Sequence, residues 1–331
     1  MLCCETAYIV LCGDVSEDDV TVPGGLTLLM YACSQCDVER RRVADIVKFL
    51  VDELRADVSA VDRRGRTALY HAVESGQLDA ATFLLSRPDS RHCLADTDRR
   101  SLLVAAVSAS RPEIVSLLLE STSIGRQLAT MTDTLGRGPV HHWVMSEDSE
   151  QGRCTAVLLE LVARRCDVNT ADNNGVTALM MAAGGARTAA LGALLQLRDA
   201  AVEVDVVDTE GRTALHHCCA AVPPSLRCCR ALVRAGADSN VADNAGVTPL
   251  MLACQTYVPG ANVAVIRYLV EKGSADPVKQ DCDGRDSYDY CPPIDSQYVR
   301  AVLRSASGTY CDSPYLPLPY FEHNVQTNEN K

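Results

Sequence analysis

Short blocks of hydrophobic residues recur along this chain, and each block follows a polar turn. Residues 62–72 read Asp-Arg-Arg-Gly-Arg-Thr-Ala-Leu-Tyr-His-Ala, a turn that leads into a small apolar segment. A second segment follows, in which Leu78, Phe83 and Leu84 lie at the spacing of one helical face. The pattern predicts two short packed helices after each turn.

The same arrangement returns along most of the chain. Clear copies occupy residues 172–182, 208–218 and 243–253, and weaker copies begin near residues 25, 99, 136 and 284. With the turn glycine or its equivalent as the reference, the units fall at residues 25, 65, 99, 136, 175, 211, 246 and 284. A fixed period of this length is the signature of a stacked repeat protein, in which neighbouring units bury each other's apolar faces.

The residues of the turn have clear physical roles. Aspartate followed three residues later by glycine suits a β-turn, because glycine adopts positive φ without strain. Thr67, Thr177, Thr213 and Thr248 suit helix N-caps, whose hydroxyl groups accept hydrogen bonds from the first helical turn. Pro249 fits the first helical position, where no N–H is needed.

These motifs resemble the ankyrin repeat, Asp-x-x-Gly-x-Thr-Pro-Leu-His-x-Ala, then a second helix and Gly-Ala-Asp-x-Asn. The resemblance covers residues 24–306 and implies an all-α solenoid of about eight helix-turn-helix units with β-hairpin tips. Residues 1–23 are predicted to form an N-terminal cap. Residues 307–331 are predicted to form a Pro-rich, partly disordered tail.

Some units depart from the motif, the fourth and eighth most of all. The fourth has Gly138 where the capping threonine belongs, Trp143 where a small alanine belongs, and a long polar turn at 146–153. We expect it to be the most distorted unit and a point of low stability. The third unit has Arg99 in place of its turn glycine. Insertions are expected at the turn between the two helices, and the last helix near residues 296–305.

Composition narrows the function. The chain of 331 residues is 47% hydrophobic, and 31 Lys and Arg against 43 Asp and Glu give a net charge of −12. These values exclude general disorder and argue against nucleic acid as the main partner. We expect no membrane insertion and no signal peptide, because the apolar start lacks a basic segment and is interrupted by Glu5. The predicted location is the cytoplasm, with the nucleus as the alternative, and the predicted state is a monomer.

The 16 cysteines and paired histidines raise the question of a metal. Their phase in the repeat favours structural thiols, because six of them replace small packed residues. The six are Cys33, Cys166, Cys218, Cys219, Cys254 and Cys291. His216 and His141 occupy the position of the motif's own histidine, which is structural in ankyrin repeats. Without a phosphate loop, a zinc-protease signature or a catalytic triad, we predict no cofactor and no enzymatic activity.

Arginine recurs just after the turn glycine in five of the eight units. This row should form a positive edge that binds a carboxylate-bearing or phosphorylated protein. The predicted protein-binding residues are Arg63, Arg64, Arg66, Glu74, Arg100, Arg137, Asn173, Asn174, Glu210, Arg212, Asn244, Gln255 and Arg285. The first interpretation of function is therefore an intracellular scaffold or adaptor.

The tail suggests an alternative function. Leu316-Pro317-Leu318-Pro319 resembles the end of the SOCS box in ankyrin-and-SOCS-box proteins, which are substrate receptors of cullin–RING ubiquitin ligases. That family also has an elongin-binding helix, and Ile294, Tyr298 and Val302 match its spacing with tyrosine in place of the cysteine. The same helix is also needed to complete the eighth repeat.

Overall fold

A computed structural model describes most of the chain. It covers residues 25–35, 40–87, 94–120, 124–150, 155–164, 166–197, 201–256, 262–291 and 296–306. The predicted N-terminal cap and C-terminal tail lie outside the described residues.

The described residues form seventeen α-helices. They are α1 (Leu28–Cys33), α2 (Arg40–Asp52), α3 (Ala68–Ser75), α4 (Leu78–Leu85), α5 (Leu102–Ser108), α6 (Pro112–Glu120), α7 (Ile124–Thr130), α8 (Pro139–Met145), α9 (Glu147–Glu150), α10 (Thr155–Ala163), α11 (Ala178–Gly184), α12 (Thr188–Leu195), α13 (Ala214–Ala220), α14 (Leu226–Arg234), α15 (Pro249–Gln255), α16 (Asn262–Glu271) and α17 (Ser296–Ala306). Two isolated β-bridges join Ala95 with Ser101 and Ala171 with Thr177. The all-α prediction is confirmed, and the last helix begins and ends close to its predicted bounds.

The helices form two layers. The first helices of consecutive units, α1, α3, α5, α8, α11, α13 and α15, each contact the next one along the stack. The second helices form the other layer, in which α2, α4, α6 and α10 pack in succession, as do α12, α14, α16 and α17. The apolar core runs continuously between the layers, because each unit buries its face against both neighbours.

The turn that precedes each first helix, here called the tip, has the same hydrogen bonds in seven units. In the second tip, residues 62–66, Asp62 Oδ1 accepts from the N–H groups of Arg64 and Arg66 at 2.8 and 2.9 Å. The N–H of Gly65 donates to the Asp62 carbonyl at 2.9 Å, and Gly65 has φ of +71°. The aspartates that accept in this way are Asp62, Asp96, Asp133, Asp172, Asp208, Asp243 and Asp281.

The third tip keeps this turn without a glycine. Arg99 takes its place with φ of +60°, and its N–H donates to the Asp96 carbonyl at 3.0 Å. The carboxylate of Asp96 still accepts from the N–H groups of Asp98 and Arg100. The two bonds to one carboxylate therefore hold an arginine in a left-handed conformation that costs it about 1 kcal/mol.

The predicted N-caps are confirmed with one variation. The hydroxyls of Thr67, Thr177 and Thr248 each accept from the N–H of the third helical residue at 3.3–3.4 Å, and Thr27, which was not predicted, does the same. In the sixth unit the Thr213 hydroxyl lies 2.9 Å from His216 Nδ1 instead. Each cap begins a first helix of only six to eight residues, which would be marginal alone.

The fourth unit departs from the others after its first helix. Gly138 caps α8 without a side-chain hydrogen bond, and the four-residue helix α9 replaces a simple turn. Arg187 of the fifth unit ties this turn down through a 2.8 Å bond to the Ser146 carbonyl, and α9 packs against α12. The distortion expected from the sequence thus lies between the helices, while the tip itself is regular.

Two further features were not expected from the sequence. A third helix, α7, follows the second helix of the third unit, so added length is not confined to the turn between helices. In the eighth unit, residues 287–290 form a turn in place of a first helix. The buried Ser287 lies in this turn.

Trp143, the only tryptophan of the chain, allows the local stability of the fourth unit to be tested. Its side chain is fully buried, so unfolding of this unit exposes it and changes its fluorescence. We expect the fluorescence transition in urea to occur at lower concentration than the loss of helical circular dichroism. Coincident transitions would show that the fourth unit is as stable as the rest.

Buried thiols occupy the predicted packing positions. Cys33, Cys166, Cys218, Cys219, Cys254 and Cys291 are all buried free thiols, and Cys228 and Cys229 are buried beside them. Burial raises the pKa of Cys33 to about 12 and that of Cys166 to about 11, which leaves them protonated and unreactive at neutral pH.

Reductant should therefore leave the fold unchanged. We expect the same melting temperature with and without dithiothreitol, because small apolar thiols rather than disulfides fill these positions. Differential scanning calorimetry on both samples is the measurement. A melting temperature several degrees lower in dithiothreitol would contradict this prediction.

Candidate protein-binding surface

The tips are joined to each other by a ladder of backbone hydrogen bonds. In each step, the residue two before the glycine donates its N–H to the residue just before the glycine of the preceding unit. The six bonds are Thr97 to Arg64, Thr134 to Asp98, Asn173 to Leu135, Thr209 to Asn174, Asn244 to Glu210 and Cys282 to Ala245, at 2.8–3.1 Å. We call the surface formed by these tips and the adjoining ends of the first helices the tip face.

Two predicted binding residues strengthen this ladder. Asn173 Nδ2 donates to the Thr134 carbonyl at 3.1 Å, and Asn244 Nδ2 donates to the Thr209 carbonyl at 3.0 Å. Their amide groups therefore join neighbouring tips. The sequence placed both among partner contacts, but the structure gives their side chains a role in stacking.

The arginine row is largely neutralised within the chain. Arg66 Nε lies 2.9 Å from Asp62 Oδ2, and its Nη1 lies 3.2 Å from Glu74. Arg285 contacts Asp281 and Asp283 at 2.8 Å.

The two arginines in the middle of the row also lie near carboxylates, although one of them does so at a longer distance. Arg212 lies 2.8 Å from Glu210, whereas Arg137 reaches Asp172 at 4.0 Å and Met145 Sδ at 3.7 Å. The positive edge expected along all the arginines is therefore largely neutralised by carboxylates of this chain. Carboxylates from the same tip or the next unit lie beside four of the five.

The other predicted binding residues that are exposed lie at the tips or at the end of a first helix. Arg63, Arg64 and Arg100 are exposed and form no ion pair with the described residues. Asn174 is also exposed at the fifth tip, and Gln255 is exposed at the end of α15. These five side chains remain available to a partner on the tip face.

Three histidines on the first helices bind the tip aspartates. His71 Nε2 lies 3.2 Å from Asp62 Oδ2, His142 Nε2 lies 3.0 Å from Asp133, and His217 Nε2 lies 2.9 Å from Asp208. Sequence reasoning missed these pairs. The signal was available, because in each case the histidine follows the aspartate by nine residues.

His141 and His216 join neighbouring units instead. The N–H groups of Gly138 and Thr213 donate to their Nδ1 atoms at 3.2 and 3.0 Å. Their Nε2 atoms lie 3.0 and 3.1 Å from the carbonyls of Val176 and Val247 in the following tips. A ring that accepts at Nδ1 and donates at Nε2 is neutral.

Electrostatics favour ionised aspartates beside neutral histidines. Burial opposes ionisation of Asp62, Asp133 and Asp208, but hydrogen bonds from backbone N–H groups outweigh it and hold the pKa of each carboxyl below its usual value. Burial lowers the pKa of His71, His141, His142 and His216.

The stability should therefore fall on mild acidification. Below about pH 6.5 the unfolded chain binds protons on these histidines, while the folded chain does so only at lower pH. We expect a lower melting temperature at pH 5.5 than at pH 7.5. The variant His142→Asn keeps a hydrogen-bond donor and should show a smaller difference. Equal melting temperatures at the two pH values would contradict the prediction.

A cleft of about 420 Å³ opens on the tip face between the third and fourth units. Its walls include the hydrophobic side chains of Leu135 and Met145, which are 51% and 43% exposed. Arg100, Arg137 and His142 also line it. This combination of exposed apolar and cationic groups is typical of a surface that binds another molecule.

In the described ranges, no three side chains of His, Cys, Asp or Glu converge in an arrangement suited to a metal ion. None of the helices that the structure describes has the length and apolarity required to cross a bilayer.

Comparison with known proteins identifies the repeats. The family model described as ankyrin repeats (3 copies) matches residues 3–96, 44–131, 142–243 and 189–281. The chain is 27% identical over 208 residues to an intracellular phospholipase A2 of Caenorhabditis elegans, covering 61% of this chain and 18% of that protein. It is 26% identical over 245 residues to the nuclear factor NF-kappa-B p105 subunit of Gallus gallus, covering 72% of this chain and 24% of that protein.

A solved structure shares the fold. The ankyrin repeat domain of Bcl-3 aligns with a TM-score of 0.59 and 23% identity, over 73% of this chain and all of that domain. Because the chain spans only about a fifth to a quarter of the curated relatives above, their activities belong to those longer proteins.

Proposed function

This chain belongs to the ankyrin-repeat family, and on that basis we propose that it is a non-enzymatic adaptor whose tip face binds a partner protein. Ankyrin repeats form a protein–protein interaction domain. The adaptor works as a monomer in the cytoplasm or the nucleus. It needs no cofactor, since binding alone is its activity.

The observation that carries this proposal is the tip ladder. Six backbone hydrogen bonds hold seven tips in register, so the surface is ordered before a partner arrives. A surface of this kind loses little conformational entropy on binding.

Specificity comes from one position of each tip. The residue just before the glycine uses its carbonyl in the ladder and exposes its side chain. From the second tip to the seventh these residues are Arg64, Asp98, Leu135, Asn174, Glu210 and Ala245. They differ in every unit, so a partner that spans several units meets a distinct series of groups.

Site-specific photo-crosslinking tests the proposal. A benzophenone amino acid is placed at Asn174 or Glu210 on the tip face, and in matched variants at Arg227 or Arg234 on the second-helix layer. All four positions are exposed, so the fold should tolerate the probe. We expect discrete adducts in cells from the tip-face positions only. Adducts of equal yield from both layers, or from the second-helix layer alone, would reject the proposal.

The ubiquitin-ligase alternative depends on the tail, which lies outside the described residues. Of the residues that match the elongin-binding spacing, Val302 is buried in the core, and its helix α17 packs against α16. That burial favours the adaptor function. Co-purification of elongin and a cullin with the full chain, lost when residues 307–331 are removed, would instead support the alternative.

A further inference from the structure

Charge is distributed unevenly along the tips. The second tip, residues 62–66, carries three arginines and one aspartate. The third and fourth tips carry equal numbers of the two charges. Each of the fifth to eighth tips carries one carboxylate more than it carries arginines. The tip face therefore changes from basic to acidic along the stack.

The basic end has arginines that are free to bind a partner. Arg63, Arg64, Arg99 and Arg100 are exposed and form no ion pair with residues in the described ranges. Arg66, by contrast, is held by Asp62 and Glu74. The available positive charge thus lies on two adjacent tips and does not follow the repeat phase of the row.

The cleft between the third and fourth units differs in character from these tips. Its lining contains the carboxylates of Asp98, Asp133 and Glu147 as well as Arg100 and Arg137. The Asp133 carboxylate is occupied by two backbone N–H groups and by His142. A side chain that enters this cleft meets no net positive charge.

The apolar walls define what fits the cleft. Leu135 projects from the fourth tip, and Met145 ends α8 on the same side. Several large hydrophobic side chains of the described residues have more than a third of their surface exposed. Leu135 and Met145 are two of these, and they line the same cleft. Covering them requires a bulky apolar side chain.

We propose that the tip face of units two to four binds an extended acidic peptide segment with one bulky apolar residue. The apolar side chain enters the cleft between Leu135 and Met145, and carboxylates contact the arginines of the second and third tips. This inference rests on the proposed adaptor function and specifies the partner. The carboxylic acids complement guanidinium groups that have no partner within the described residues, and the acidic fifth to eighth tips repel a longer acidic segment.

Repeat spacing predicts the pattern of the segment. Neighbouring first helices pack about 10 Å apart, and an extended chain advances about 3.3 Å per residue. About three residues of the partner therefore span one unit. Acidic residues should occur about three and about six positions from the apolar residue.

Peptide selection with matched variants tests the inference. A library of random 12-residue peptides displayed on phage is selected against the full chain. The enriched peptides are then measured by fluorescence anisotropy. We expect them to combine Asp or Glu with Leu, Ile, Met or Phe at the stated spacing.

Three exposed arginines provide the charge test. The variant Arg63→Ser/Arg64→Ser/Arg100→Ser should weaken binding by about tenfold at low salt, since it removes charges that lie at the contact. The control variant Arg126→Ser/Arg227→Ser/Arg234→Ser removes equal charge from exposed positions away from the tip face and should bind within about twofold of the wild type.

A second pair of variants, one in the cleft and one as its control, tests the apolar contact. Leu135→Ser changes a tip position where other units have Asp98 or Asn174, so the fold should tolerate it. It should weaken binding by about tenfold through loss of apolar contact. Leu159→Ser, on the exposed side of α10 in the same unit, should have no effect.

The outcomes separate the two proposals. Selected peptides without acidic residues, or peptides bound equally by both arginine variants, would overturn this inference while leaving the adaptor function standing. Failure to enrich any peptide would overturn it as well. A phosphorylated peptide that binds where its glutamate counterpart does not would show that phosphate rather than carboxylate is recognised, and would also overturn it. The adaptor function itself fails if the second-helix layer crosslinks as strongly as the tip face, or if it alone crosslinks.

Discussion

Replacing Trp143 with alanine should lower the free energy of unfolding by about 3–5 kcal/mol, the usual cost of deleting a large buried aromatic side chain. Trp143 is fully buried within α8, at a position where the equivalent residues are Ala72 and Ala182. The motif favours a small residue there, so the neighbours of the fourth unit have adapted to a large one. Urea denaturation followed by circular dichroism measures the loss.

A reciprocal substitution is the control for this prediction. Ala182 in the fifth unit is also fully buried, but its surroundings are adapted to a methyl group. Ala182→Trp should destabilise the chain by overpacking, whereas Trp143→Phe should cost less than Trp143→Ala. If Trp143→Ala were neutral, the small-residue rule of the motif would hold in the fourth unit too, and the tryptophan would add nothing to its core.

A methyl group at Gly246 should destabilise the fold by about 3 kcal/mol. About 1 kcal/mol comes from the left-handed backbone at φ of +80°, and the rest from displacement of the next tip. An added Cβ would lie 2.8 Å from the Cys282 nitrogen and 2.9 Å from Asp281 Cα. It therefore forces apart the two tips joined by the Cys282 N–H to Ala245 carbonyl bond. Chemical denaturation of Gly246→Ala is the measurement.

Substitutions at two other glycines distinguish the cost of backbone strain from the cost of a clash with the next tip. Gly284 has φ of +77° at the last tip, and an added Cβ there meets nothing within 4 Å. Gly284→Ala should cost only about 1 kcal/mol, from backbone strain alone. Gly192 lies inside α12 with open space around it, so Gly192→Ala should stabilise the fold by about 0.5–1 kcal/mol. Equal losses for Gly246→Ala and Gly284→Ala would show that the packing of one tip on the next contributes nothing.

Several predicted binding residues make contacts within the chain that the sequence did not predict, and these contacts share one cause. Arg66 was expected to face a partner, yet its side chain contacts Asp62 of its own tip and Glu74 near the end of α3. Asn173 was expected to do the same, but it donates to a carbonyl 39 residues earlier in the chain. The sequence pattern predicts the position of a residue in the repeat. The contacts of its side chain depend on the residues that surround it in the folded chain.

The sequence by itself determined the features that depend on short-range bonds. The tip needs only an aspartate that accepts from N–H groups two and four residues later, and the N-cap needs only a hydroxyl three residues before its donor. Such bonds recur wherever the motif recurs, so the order of the units and the two-helix pattern of most of them could be derived. The burial of Cys218 and Cys254 followed from phase in the same way.

Only the tertiary structure decided which surface groups are free and where the cleft opens. The ladder and the cleft beside Leu135 and Met145 depend on contacts between units, across 30 to 40 residues of chain, and so does the approach of Arg137 to Asp172. Insertions such as α7 change those contacts without changing the motif. The repeat therefore determines the fold because its bonds are local, while the binding surface depends on how eight unequal units stack.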